Sequence, residues 1–168
     1  YKIFLITEPK YRLIMSEKVE DKIVNHLISK YILLPAIEKS LVDGNVATRY
    51  KKGSGYAYEL LLKYINRLRY YKKDIYVLKI DISKYFYNID HEICMRELER
   101  KIKDKRALDI IKDVLDTTNQ PYVNREIKYL KNKEINRVKK LNISNKEKLL
   151  KVEEISRIPL YYYGKGLP

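Results

Sequence analysis

The sequence predicts an α+β fold, and three observations favour it. Residues 1–17 have the pattern strand, turn, strand, with Pro9 in a short polar break between two apolar runs. Further along, apolar residues recur at helical spacing, and residues 75–81 form a continuous apolar run rich in β-branched side chains. We expect 75–81 to be a central strand covered on both faces. Lys10 and Arg12 lie near the hairpin tip, either as solvated cations or as groups that reach a ligand.

Helices are predicted between and after these strands, from apolar stripes and from residues suited to cap a helix. The predicted helices are 19–28, a short one at 35–41 with Pro35 in its first turn, 57–68 with Ser54 as N-cap, 93–102 after Asp90, and 108–115 after Asp104. Residues 119–158 are predicted to be less regular, and 158–163 to form a short strand. His91 follows a capping residue, so we expect it to have a structural role.

Composition restricts the partners. The chain has 168 residues with 36 Lys and Arg against 22 Asp and Glu, a formal net charge of +14. Such an excess attracts polyanions, with nucleic acid as the first candidate and an acidic membrane surface as the second. No apolar run approaches the roughly 20 residues that span a bilayer, and the chain opens on no signal-peptide pattern. The single Cys94 fits a reducing cytoplasm.

Asp81 ends the apolar run, and a carboxylate in that position is costly to desolvate unless a cation lies on it. Two interpretations compete. Asp81 caps the strand or accepts backbone hydrogen bonds, or it holds a divalent metal at an edge where substrate arrives.

A loop of cations precedes the third predicted helix. Arg49, Lys51 and Lys52 come just before Gly53-Ser54-Gly55. Free N–H groups at a helix start and nearby cations suit phosphate, although the spacing is not that of a P-loop. Solvated surface cations are the alternative.

Three segments resemble one protein family. "LKIDISKYFYNIDH" resembles the first catalytic motif of the reverse transcriptase palm, with an apolar strand, Asp81, four residues and then the aromatic Phe86. "GKGLP" at 164–168 is similar to the start of the family's next motif, and "ILLPAIEKSLVDGNVATRYKKGSG" at 32–55 resembles the fingers of bacterial reverse transcriptases of the retron, group II intron and phage-defence kinds. The order of these segments is also the family's order.

The resemblance implies a metal site. Template-directed nucleotidyl transfer uses two ions, here Mg²⁺ or Mn²⁺, and the resemblance makes the Asp81 carboxylate and the Ile82 carbonyl ligands. The family's second carboxylate pair, an aromatic-x-Asp-Asp turn, follows the GKGLP motif, and this chain contains no Asp-Asp. We therefore expect the chain to be the amino-terminal piece of a larger polymerase and to be inactive alone.

The resemblance also implies how substrates bind. Phe86 would exclude a ribose 2′-hydroxyl by bulk, Arg12 would grip the triphosphate of the dNTP with Lys10 as helper, and Gly166 would leave room near the nascent base pair. The cations expected to hold the phosphates of an RNA template or DNA primer are Arg49, Lys51 and Lys52. For Phe86 the alternative is ordinary packing in the palm.

The implied lobes are fingers over 1–73, palm over 74–103, fingers again over 104–158, where a basic insertion lies, and palm re-entry over 159–168. Within 125–157, Lys and Arg outnumber Glu by 11 to 5. A non-catalytic nucleic-acid-binding or scaffold protein with a polymerase-like fold is the main alternative. A nuclease using Asp81 is weaker, because no partner carboxylate lies at a recognisable spacing.

Overall fold

The computed structural model of the protein describes residues 1–71 and 74–168. They form a mainly helical structure with one small sheet, which confirms the mixed α and β class. The elements are β1 (Lys2–Ile6), β2 (Arg12–Ser16), α1 (Val19–Ile28), α2 (Leu34–Ile37), α3 (Ser54–Tyr70), α4 (Tyr85–Asn88), α5 (His91–Lys101), α6 (Lys105–Asp116), α7 (Pro121–Lys139) and α8 (Asn145–Ser156).

The chain divides into two compact units. The helical body consists of Tyr1–Leu34 and Ser83–Pro168, and the α3 unit consists of Pro35–Ile82. The fingers and palm boundaries are assigned by function and not by compactness, so they stay predictions.

The predicted amino-terminal hairpin is confirmed. Strands β1 and β2 pair antiparallel, with Lys2 opposite Ser16 and Ile6 opposite Arg12. Alternation along the pleat turns Ile3 into the core of the helical body. Leu5, Leu13 and Met15 pack against the same core, so the hairpin is anchored through both strands while its turn lies at the surface.

Helices α7 and α8 build the centre of that core, so the prediction that 119–158 is less regular is wrong. Val123, Ile127, Val138 and Ile155 are fully buried. These buried apolar residues are few and lie among many exposed cations, so the apolar stripe of each helix is hard to recognise in the sequence. Lys and Arg stems can cover a helix surface without disturbing it, so charge density alone does not exclude a helix.

The helix caps are a local property and follow the sequence closely. Asp90 accepts a hydrogen bond at the start of α5, and Asp104 does so at the start of α6, as predicted. The predicted cap at Ser54 is wrong by one residue, because Gly53 is the N-cap and Ser54 is the first helical residue. The short helix at 35–41 is confirmed as α2 followed by a 3₁₀ turn at Glu38–Ser40.

Residues 75–81 form no strand, so the predicted central strand is wrong. A strand needs a neighbour for its N–H and C=O groups, and the one sheet among the described residues is β1–β2. Without a partner strand the apolar side chains are solvated, with Val77 81 % and Leu78 82 % exposed. Asp81 therefore lies at the end of an exposed irregular segment and not at the end of a buried strand.

The strand predicted at 158–163 is also wrong. Both backbone groups of Tyr161 are satisfied by one side chain: Asn124 Nδ2 donates to the Tyr161 carbonyl over 2.8 Å, and Asn124 Oδ1 accepts from the Tyr161 N–H over 3.0 Å. The amide takes the place that a strand neighbour would occupy. Regular pairing here is limited to an isolated bridge between Asp90 and Lys165.

Candidate functional site

Two segments that are far apart in the chain meet in the helical body. They are residues 84–91 and the turn at 164–167, which lie in the two segments "LKIDISKYFYNIDH" and "GKGLP". Three backbone hydrogen bonds join them, from Leu167 N to Phe86 O over 2.7 Å, from Gly166 N to Ile89 O over 2.7 Å, and from His91 N to Gly164 O over 2.9 Å. The chain thus fixes the 164–167 turn beside Phe86.

His91 reinforces this junction with its side chain. It is 8 % exposed, and its Nε2 lies 2.6 Å from the Gly166 carbonyl oxygen. A carbonyl can only accept, so we assign the ring hydrogen to Nε2. Nδ1 is buried without a hydrogen bond within the described residues, and Asp116 Oδ1 lies 3.9 Å from it. The expected structural role of His91 is confirmed, and its partner is a distant turn rather than its own helix.

Two residues of the 3₁₀ turn after α6 complete what we call the His91 cluster: His91, Thr118, Asn119 and the 164–167 turn. Thr118 is buried, and its hydroxyl lies 3.2 Å from the Lys165 carbonyl oxygen. Asn119 Oδ1 accepts from the Gly164 N–H over 2.7 Å. Sequence reasoning missed both residues, since their partners are backbone groups of a distant turn, and every residue carries such groups.

Gly166 has a conformational reason to be glycine. Its φ is +92°, and a Cβ there would lie 2.5 Å from Tyr161 Cδ1 and 3.2 Å from the Phe86 carbonyl oxygen. The Tyr161 hydroxyl also donates to the Leu167 carbonyl over 2.9 Å. Glycine therefore allows the close packing of this turn, and the role near a nascent base pair stays a prediction.

Phe86 lies in α4 and is 62 % exposed. The ring meets Tyr85 edge to face, with centroids 5.3 Å apart. Lys84 is the N-cap of this helix, and its backbone is in the left-handed region, with φ 53°. An aromatic ring held on a short helix and left open to solvent can contact a ligand.

Asp81 and Ile82 belong to the α3 unit and are exposed. One carboxylate and one carbonyl are hard oxygen ligands of the kind that Mg²⁺ accepts, since this ion keeps several waters. The described parts of the chain hold no group of three or more His, Cys, Asp or Glu side chains placed to bind a metal. The residues present therefore offer ligands for one ion but do not make a two-metal site.

Lys10 and Arg12 lie on the hairpin of the helical body. Arg12 is the first residue of β2 and is exposed, as is Lys10 in the turn. Neither forms an ion pair with any described residue. Both cations are free to meet an anionic ligand in the way the sequence predicts.

Arg49, by contrast, is engaged inside the α3 unit. Its Nε and Nη2 donate to Glu38 Oε1 over 2.9 and 2.7 Å, and its Nη1 donates to the carbonyls of Val42 and Asn45. A guanidinium that uses its donors in this way organises the loop. Its predicted contact with template or primer phosphate would require these bonds to break.

Lys52 is paired as well, while Lys51 is not. Lys52 Nζ lies 2.5 Å from Asp43 Oδ1, and the Tyr56 hydroxyl donates to Asp43 Oδ2 over 2.8 Å. The hydrogen bond from Lys52, with that from Tyr56, holds the pKa of Asp43 below its ordinary value. Lys51 is exposed, with φ 56°. Of the three predicted phosphate contacts, Lys51 is the one directed to solvent without an acidic partner among the described residues.

Comparison of the chain with protein-family models, with curated proteins and with solved structures gives no match. Among the described residues, no helix combines the length and the apolar character needed to cross a membrane. Phe86 and Gly166 are brought together in the helical body, whereas Asp81 and Lys51 belong to the α3 unit.

Proposed function

We propose that this chain is the fingers and first palm part of an RNA-directed DNA polymerase. The observation that carries the proposal is the junction between residues 84–91 and 164–167. Both segments resemble palm motifs of reverse transcriptases in sequence, and three backbone hydrogen bonds and the His91 side chain join them. Motifs that act on one substrate need to be held together in this way.

In this proposal each exposed side chain of the candidate site without an acidic partner among the described residues contacts a substrate. Arg12, with Lys10, binds the dNTP triphosphate, and the exposed ring of Phe86 lies against the sugar. Lys51 contacts a phosphate of the RNA template or DNA primer. Arg49 and Lys52 support the loop that presents Lys51, a change from their predicted role as direct contacts.

The metal ions, Mg²⁺ or Mn²⁺, would align the primer hydroxyl and the triphosphate when bound. Asp81, with the Ile82 carbonyl, is this chain's contribution to holding them. The second pair of carboxylates would have to come from elsewhere in the polymerase. The 168-residue chain alone is therefore proposed to be inactive in synthesis.

Primer extension on an RNA template by the full-length polymerase tests the proposal. Asp81→Asn should reduce synthesis by about 100-fold or more while duplex binding persists, since it keeps size but removes the negative charge. Asp109→Asn, a change at an exposed carboxylate on α6, is the matched control and should leave synthesis unchanged. Robust synthesis by the Asp81→Asn variant would exclude the metal role.

A non-catalytic nucleic-acid-binding protein with a polymerase-like fold is the second candidate. The net charge of +14 favours it, because that charge supports binding whether or not Asp81 acts in catalysis. Duplex binding together with no synthesis by the unaltered full-length protein would favour this candidate over the first.

A further inference from the structure

A groove of about 780 Å³ lies between β1 and α7, wholly within the helical body. None of its lining residues belongs to the His91 cluster. Its main lining residues are Phe4, Tyr129, Asn132, Lys133, Asn136 and Lys140.

Two aromatic rings line the groove without being needed for the core. Tyr129 on α7 is 58 % exposed, whereas Ile127, two residues earlier, is fully buried. Phe4 on β1 is 37 % exposed beside the buried Ile3. Open aromatic faces of this kind provide stacking surfaces for planar groups.

The charge of the groove is positive. Lys133 and Lys140 are exposed, and neither forms an ion pair with a described residue. The acidic Glu134 is already paired with Arg137, whose Nη2 and Nε lie 2.7 and 2.9 Å from its carboxylate oxygens. That contact holds the pKa of Glu134 below its ordinary value, so the carboxylate does not need a further cation. The two free lysines can therefore meet an external anion.

Polar amides lie on the same face. Asn132 and Asn136 follow Tyr129 at spacings of three and seven residues, which places all three on one side of α7. An amide side chain both donates and accepts, so it can bind base edges of any identity. Stacking surfaces, free cations and adaptable amides are combined here along one helix face.

We propose that this groove binds single-stranded nucleic acid, with bases stacked on Tyr129 and Phe4 and phosphates held by Lys133 and Lys140. An acidic peptide would use the lysines and would gain nothing from the open rings. A second copy of this chain would bring its own charge of +14 against the same lysines. The proposal does not depend on polymerase activity, and it holds for the non-catalytic candidate as well.

The test is the fluorescence anisotropy of a labelled oligouridine of about 12 nucleotides, titrated with the 168-residue chain. Tyr129→Ala should weaken binding roughly 5-fold or more, and Tyr129→Phe should retain most of the affinity because the ring remains. Tyr162→Ala removes an exposed ring elsewhere and should leave the affinity unchanged. Circular dichroism of each variant confirms that the helices are intact.

The lysines are tested through salt. The double variant Lys133→Ala, Lys140→Ala should lower the slope of log affinity against log salt by about 1.4, as expected for two phosphates of a single strand. Its control is Lys105→Ala, Lys112→Ala, which removes the same charge from α6. Equal slopes for the two double variants would overturn the proposal. They would show that the salt dependence follows the net charge of the chain and not the two lysines of the groove.

Competition decides the class of ligand. Unlabelled oligouridine should displace the probe, and polyglutamate or anionic phospholipid vesicles at equal charge should displace it far less. Equal displacement by either polyanion, or equal affinity of Tyr129→Ala and the unaltered chain, would overturn the proposal. None of these readouts involves Asp81, so failure here is distinct from failure of the polymerase proposal.

Discussion

The Nε2 atom of His91 lies 2.6 Å from the carbonyl oxygen of Gly166, although the two residues are 75 positions apart. The hydrogen bond ties the first turn of α5 to the turn that follows Tyr161. A short bond to a buried carbonyl is costly to lose, because the carbonyl would remain unsatisfied away from water. The His91 imidazole therefore adds a buried side-chain contact to the backbone hydrogen bonds that hold the 164–167 turn.

Substitution of His91 by glutamine or by asparagine distinguishes the roles of its two ring nitrogens. The amide of Gln reaches about as far as Nε2, and that of Asn about as far as Nδ1. We expect His91→Asn to increase the hydrogen exchange of the Gly166 and Leu167 amides by about 10-fold, and His91→Gln to increase it much less. Exchange at Ile127, in the core of α7, serves as the internal control. Equal effects of the two variants at Gly166 would contradict the role of Nε2.

Gly166→Ala tests the packing of the same turn. The added Cβ meets the Tyr161 ring at 2.5 Å and takes an unfavourable positive φ, so the free energy of unfolding should fall by about 1–3 kcal/mol. Gly44→Ala is the control, since a Cβ there has no heavy atom within 4 Å, and its effect should stay within about 0.5 kcal/mol. Urea unfolding monitored by circular dichroism measures both. Equal stability of the two variants would argue against close packing at Gly166.

The pH dependence of the α3 unit should be set by Asp43. Its pKa is lowered, so the stabilisation by Lys52 and Tyr56 is complete above the ordinary value of 3.8 and is lost as the pH falls through the lower folded-state value. The carboxyl carbon shift in an NMR titration should report this depressed midpoint. Lys52→Met should move the midpoint up, and Lys51→Met should not. A midpoint unmoved by Lys52→Met would exclude the pairing.

Lys51 should be the salt-sensitive contact of the cationic loop. In binding of an RNA–DNA duplex by the 168-residue chain, Lys51→Ala should lower the slope of log affinity against log salt by about 0.9, the value for one phosphate. Lys39→Ala, at another exposed cation of the α3 unit, is the matched control. If the two variants share the slope of the unaltered chain, Lys51 is a solvated surface residue.

Phe86 should select the sugar of the incoming nucleotide. If the full-length protein is the proposed polymerase and Phe86 lies beside the ribose, Phe86→Ala or Phe86→Val removes that bulk, so relative use of ribonucleotides should rise by at least about 10-fold. Steady-state incorporation of dNTP and rNTP measures the ratio, with Tyr85→Ala as the neighbouring aromatic control. An unchanged ratio in both Phe86 variants would leave this ring with a packing role only.

Sequence reasoning succeeded where the cause is local. The caps at Asp90 and Asp104 depend on groups within three residues, and the hairpin depends on the short polar break at Pro9 between two apolar runs. It failed for 75–81, since an apolar run becomes a strand only if another strand lies alongside. It also failed for α7 and α8, where a few buried apolar residues lie among many cations.

The site was predictable in residue type but not in pairing. The sequence indicates a cluster of cations at Arg49, Lys51 and Lys52, but not that Glu38 and Asp43 neutralise two of them. Those contacts join residues 11 and 9 positions apart across a loop whose course the sequence does not specify. The hydrogen bond from His91 to a backbone oxygen is still harder to predict from the sequence, because every residue has such an oxygen.

The exposed run at 76–82 has a consequence for the solubility of the chain. It contains no Pro or Gly, its Lys79 and Asp81 cancel in charge, and its apolar side chains are open to water. Such a segment favours self-association through strand pairing between chains, and mutual repulsion by the net charge of +14 opposes it. Salt screens the repulsion and strengthens apolar association, so the chain should become less soluble as the ionic strength rises. Loss of protein by precipitation would then imitate loss of binding, and light scattering recorded alongside anisotropy separates the two.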